Sequence, residues 1–134
     1  MIYLLDTNTC IQYLNGRSSL IIDKLKTQKP SDIVLCDIVK LELYYGAYKS
    51  ERKDQNLQVL SEFFQEFDSL YFGVKAAQKA GEIRAKLATL GTPIGPYDLQ
   101  IAAIAIVHNL ILVTHNIDEF SRVEGLSYED WEIV

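Results

Sequence analysis

Cysteine is scarce in this chain. Cys10 and Cys36 are the only two in 134 residues, and neither stands in a disulfide framework or a zinc motif. Both have apolar neighbours and read as core fillers. A reducing, cytoplasmic location is the expectation. No apolar run approaches the roughly 18 residues of a transmembrane helix, so no membrane partner is expected. The opening residues lack a basic n-region and a long apolar h-region, so no secretory signal is read there. His108 and His115 have no partners at metal-ligand spacing and read as a helix-end residue and a loop residue. A basic surplus is also missing. The net charge of -5 speaks against a general nucleic-acid-binding module, though not against a pocket of acids with a basic rim. No G-x-x-x-x-G-K-[ST] loop is present, so nucleotide hydrolysis is not indicated. No serine or cysteine has a base placed beside it as an activated nucleophile. No internal repeat, low-complexity tract or linker interrupts the chain.

What is present is an ordinary globular composition, 49% hydrophobic and 23% charged, long enough for one domain with a real core. The opening MIYLLDTNTC sets the pattern. Four apolar residues stop at Asp6-Thr7-Asn8-Thr9, which reads as a buried strand followed by a helix cap. Thr7 to Leu14 reads as a short helix ended by Asn15-Gly16, and Ser18 or Ser19 caps a second. Ile33–Cys36 is a second strand, and Asp37 is read as the cap of a helix to about Tyr48. Its expected inward stripe is Ile38, Leu41, Tyr45 and Tyr48, with Glu42 among them. A long helix follows with Leu57, Leu60, Phe63, Phe64 and Phe67. Leu70-Tyr71-Phe72 is read as a short third strand.

Val74 to Leu90 reads as a helix closed by Gly91, with Ala76, Ala80, Ile83, Leu87 and Leu90 inward. The rigid segment Gly91–Pro96 leads into a helix that is apolar nearly all round and carries Asp98 in its first turn. Leu110–Val113 is the clearest strand and ends on Thr114-His115-Asn116. A last edge strand is read within Ser127–Trp131.

This alternation of strands and helices implies an α/β fold with a parallel sheet and helices on both faces. Right-handed crossovers place every strand's carboxyl end on one edge. Asp6 and Asn116 leave strands there, and Glu42 and Asp98 lie in helices that begin there. Three carboxylates at one point repel; at an effective dielectric near 20, each pair about 4 Å apart costs roughly 4 kcal/mol. Either their pKa values rise or a cation neutralises them. An oxygen-only cluster suits Mg²⁺ or Mn²⁺ better than Zn²⁺. Such a site fits a metal-dependent phosphodiesterase.

The segments LLDTN, VKLELYYGAYKS, GEIRAKLATLGTPIGPYDLQIAAIA and LILVTHNIDEF, in that order, resemble a PIN-domain ribonuclease of the VapC toxin family. The likeness spans essentially the whole chain. It implies a single PIN domain over residues 1–134, a three-layer α/β/α fold with a central parallel sheet of four to five strands. It also implies a Mg²⁺- or Mn²⁺-dependent endoribonuclease, the toxin of a toxin–antitoxin pair, often dimeric. Its partners would be an RNA substrate and a cognate antitoxin protein. Some relatives with a GPYD-type segment cut transfer RNA in the anticodon region.

By position, the family's metal-binding acids fall on Asp6, Glu42 and Asp98. A fourth acid often follows the last central strand; here that position is Asn116, which could hold a metal-bound water through its amide oxygen. Asp118 or Glu119 could stand in for the missing acid. Thr7 and Thr114 match small polar positions that orient the acids. Arg84 matches an arginine expected at phosphate or antitoxin. Two other readings share these residues: another metal-dependent phosphodiesterase such as a structure-specific DNA nuclease, and a non-catalytic nucleic-acid-binding regulator. Tyr44, Tyr45 and Tyr48, with Phe63, Phe64 and Phe67, exceed what one small core needs. Some are expected at a dimer interface or an antitoxin groove.

Overall fold

Five short strands, all parallel, run side by side in the order β3-β2-β1-β4-β5 in the computed structural model, which describes residues 1–133. They are β1 (Tyr3–Leu5), β2 (Ile33–Cys36), β3 (Asp68–Leu70), β4 (Ile111–Val113) and β5 (Ser127–Glu129). The helices are α1 (Thr7–Leu14), α2 (Ser19–Lys26), α3 (Asp37–Lys49), α4 (Lys53–Phe64), α5 (Val74–Thr89), α6 (Pro96–Val107) and α7 (Ile117–Phe120). Right-handed crossovers put α1 to α4 on one face and α5 to α7 on the other. The central strands read as continuous apolar runs because both their faces are covered. Leu4, Val34, Leu35 and Leu112 are fully buried.

The strand order reverses between β1 and β4. At such a switch point the two crossovers leave in opposite directions and open a crevice beyond the carboxyl ends. The register Leu5↔Val113 brings the exits of β1 and β4 level. Asp6 N–H bonds the carbonyl of Val113 at 3.0 Å and closes the sheet there. Among the described residues, no helix is long and apolar enough to cross a membrane.

Three local expectations are corrected. The third strand is Asp68–Leu70, not Leu70–Phe72. An edge strand tolerates polar residues, and its partners are set by the register Val34↔Asp68, leaving Tyr71 74% exposed beyond it. Asp37 is the first helical residue of α3 and makes no capping bond; its Oδ1 accepts from Ser69 Oγ at 3.1 Å. The buried stripe of α3 is Val39, Leu43 and Ala47, while Leu41, Tyr45 and Tyr48 face outward. This helix carries apolar residues on both sides, so its sequence offers two stripes. It follows β2 without an intervening residue, and the direction of that exit fixes its phase. In α5 the inward stripe is as expected except for Leu90, which lies past the last helical residue and is exposed. α6 ends at His108, and Asn109 takes a left-handed φ of 55°, a conformation asparagine tolerates better than most residues.

Candidate active site

Four acids line the crevice at the switch point. Asp6 leaves β1 and caps α1, accepting from Thr9 N–H at 2.8 Å. It is 4% exposed. Burial raises its pKa, opposed by hydrogen bonds from Thr114 and Thr9 and reinforced by the charge of Glu132. Thr114 is wholly buried, and its hydroxyl accepts from Asn116 N–H at 2.9 Å. Thr114 thus ties the end of β4 to the acid that ends β1.

Glu42 arrives from α3, half-buried, and takes the Thr7 hydroxyl at 2.6 Å on its Oε1. Thr7 is the residue after Asp6, so this bond fixes the second acid against the first. Asp98 enters from the first turn of α6. Its pKa is pushed up to about 7 by burial, then by the hydrogen bond and charge of Glu119, then by the charges of Asp6 and Glu42. Glu119 is held lower by the hydrogen bond from Asp98, with help from Asn116 and the Gly95 backbone. The pair therefore shares one proton near neutrality, as close carboxyls do.

Asn116 spans this pair. Its Nδ2 donates to Asp98 Oδ2 and to Glu119 Oε2, both at 3.3 Å. The amide nitrogen faces the two acids and forms a neutral bridge between them. Of Asp118 and Glu119, Glu119 is the one that lies beside Asp98. Asn116 is the N-cap of α7, and Glu119, three residues on, meets its side-chain amide, whereas Asp118 is exposed. That spacing was the available signal. A Cβ on Gly95 would lie 3.8 Å from Asp98 Oδ2 and 4.0 Å from Glu119 Oε2, so the loop before α6 passes close over both.

Arg84 is not part of this constellation. It is exposed on α5 and lines an apolar cavity of about 400 Å³ with Leu87, Pro93, Ile94, Pro96 and Leu99. The two cysteines are fully buried, and burial pushes the Cys36 thiol up to about 11.

The donor set decides whether a cation suits the crevice. Asp6, Glu42, Asp98 and Glu119 offer carboxylate oxygens alone, with no thiolate or imidazole. Two of the four are disfavoured as anions when no positive charge is near. Hard dications with oxygen preference, Mg²⁺ and Mn²⁺, fit such a set.

A parallel sheet with helices on both faces and an acidic crevice at its switch point fits the PIN class of domain. The PIN domain model matches residues 3–126. The chain is 40% identical to the tRNA(fMet)-specific endonuclease VapC of Salmonella typhimurium over 129 residues, 96% of this chain and 97% of the relative. It is 39% identical to ribonuclease VapC2 of Rickettsia felis over 133 residues, 98% and 99% of the two chains. The solved structure of DNA-bound VapBC from Salmonella typhimurium superimposes with a TM-score of 0.92 at 39% identity, covering 98% of each chain. The chain belongs to the VapC family of PIN-domain proteins.

Proposed function

We propose that this protein is a divalent-metal-dependent endoribonuclease, the toxin of a toxin–antitoxin pair, acting at Asp6, Glu42, Asp98 and Glu119. The observation that carries the reading is the placement of Asp98 and Glu119 on one Asn116 amide, beside Asp6 and the Thr7-held Glu42, a cluster costly to hold without a cation. These four residues would hold Mg²⁺ or Mn²⁺. Such an ion stabilises charge on a phosphate oxygen and lowers the pKa of water.

The chain's own residues do the rest. Thr7 and Thr114 orient Glu42 and Asp6. Asn116 keeps Asp98 and Glu119 together without adding charge. The anionic form of Asp98 would be favoured by a cation held there, against the burial and the Glu119 charge that raise its pKa. The name of the Salmonella relative supports transfer RNA as the substrate class, the VapBC complex supports an antitoxin as protein partner, and a transfer-RNA substrate would place the protein in the cytoplasm. The outward face of α3, with Leu41, Tyr45 and Tyr48 exposed, supports a contact there with the antitoxin or a second copy.

The test is cleavage of total transfer RNA and of single- and double-stranded DNA, side by side, in Mg²⁺ and in EDTA. RNA cleavage that needs Mg²⁺ is expected. Equal or preferred cleavage of DNA would point to a structure-specific DNA nuclease instead.

A further inference from the structure

Among the described residues, a second group of metal-ligating side chains forms only in three dimensions. His115 follows β4, and Asp130 and Glu132 follow its parallel neighbour β5. A 2.9 Å bond from Thr114 N–H to the Glu129 carbonyl aligns the two strand exits. His115 Nδ1 then lies 2.7 Å from Asp130 Oδ2 and 3.6 Å from Glu132 Oε2. One ligand atom from each residue lies within 4.8 Å of the others.

Two details separate this group from an ordinary surface ion pair. Glu132 Oε2 is buried and has no hydrogen-bond partner. A buried carboxylate oxygen left so is unfavourable, and its presence calls for an explanation. The acids are also anchored. The Asp130 side chain is 7% exposed; its Oδ1 accepts from Glu132 N–H at 2.9 Å, and its Oδ2 is hydrogen-bonded to His115 Nδ1. Trp131 between them is buried edge-on against Tyr3, ring centres 5.1 Å apart.

We propose that His115, Asp130 and Glu132 bind a transition-metal dication of the Zn²⁺ type at a site separate from the acidic crevice. One imidazole nitrogen and two carboxylate oxygens suit a borderline ion, unlike the oxygen-only crevice. Tetrahedral bonds of about 2.0–2.2 Å set neighbouring ligand atoms roughly 3.3–3.6 Å apart. The 3.6 Å separation lies at the upper end of that range, and the 2.7 Å hydrogen bond between His115 and Asp130 would open to reach it. His115 is 54% exposed, which leaves a fourth position open to solvent. The ion would partner Glu132 Oε2 and tie β4 to β5 one residue before Asn116.

Titration calorimetry with ZnCl₂ in excess Mg²⁺, supplied to fill the oxygen-only crevice, tests this. Wild type and Asp98→Asn are each expected to bind a single Zn²⁺ and to melt at higher temperature with it. His115→Gln should remove binding, and Glu132→Gln should weaken it about tenfold or more. Melting in EDTA verifies that each variant is folded; should His115→Gln fail to fold, Glu132→Gln carries the test. Unchanged Zn²⁺ affinity in the folded variants overturns the proposal, as does absence of binding in wild type. Loss of binding in Asp98→Asn also overturns it, because the ion would then sit among the four acids.

Discussion

The hydroxyl of Thr7 donates to Glu42 Oε1 across 2.6 Å, joining residues 35 apart in the chain. The bond holds the acid of α3 against the exit of β1, where Asp6 sits. Thr7→Val keeps the shape and removes the donor. Cleavage should fall about 10–100-fold, the usual cost of losing a residue that orients a metal ligand. Stability should change by only about 1 kcal/mol. Single-turnover rates and a denaturant curve on one preparation measure both, and wild-type cleavage would remove Thr7 from the site.

Asp98→Asn should abolish cleavage and stabilise the metal-free protein. Asn mimics the protonated acid that the fold prefers, and its amide can still donate to Glu119. The pH dependence has a definite sign. Folded Asp98 titrates at about 7, against an ordinary value of 3.8. Between these values the unfolded chain releases the proton first, so wild-type stability falls as pH rises and levels off above about 7. The advantage of the variant should be smallest near pH 4 and largest at pH 7 and above. Melting curves in EDTA across that range read it; a constant difference would mean that Asp98 holds no extra proton.

Mg²⁺ should raise the melting temperature of wild type at pH 8 and do so much less in Asp98→Asn. A ligand at 100 times its dissociation constant adds about 2.7 kcal/mol to the state it binds. Melting temperatures that ignore Mg²⁺ would count against a cation among the four acids.

Glu119→Gln and Asp118→Asn separate two neighbours. Glu119 shares the bridge of Asn116 with Asp98, while Asp118 is exposed. The first variant should lose most cleavage and the second should keep it. The opposite result would reassign the fourth acid.

Tyr45→Glu on the outward face of α3 should leave the melting temperature nearly unchanged, because the residue is 64% exposed. Binding to the antitoxin, or self-association in sedimentation, should weaken strongly. Unaltered assembly in both assays would clear this face of a partner role.

The sequence by itself determined the frame. Short apolar runs ended by Asp6, Asp37 and Thr114 mark strands whose carboxyl ends share one edge, since parallel pairing and right-handed crossovers leave no other arrangement. Asp6, Glu42 and Asp98 were legible for that reason, each standing just past a strand or near the start of a helix. The phase of α3 was not legible, because the helix has two apolar stripes and only the exit from β2 selects Val39, Leu43 and Ala47. Nor was the turn of the Asn116 amide, which depends on where Asp98 and Glu119 finally sit. His115 looked solitary because its neighbours, Asp130 and Glu132, lie on the next strand's exit. Local spacing reports what one element brings together. Which ends of different elements meet is decided by strand order and register, and these exist only once the sheet has formed.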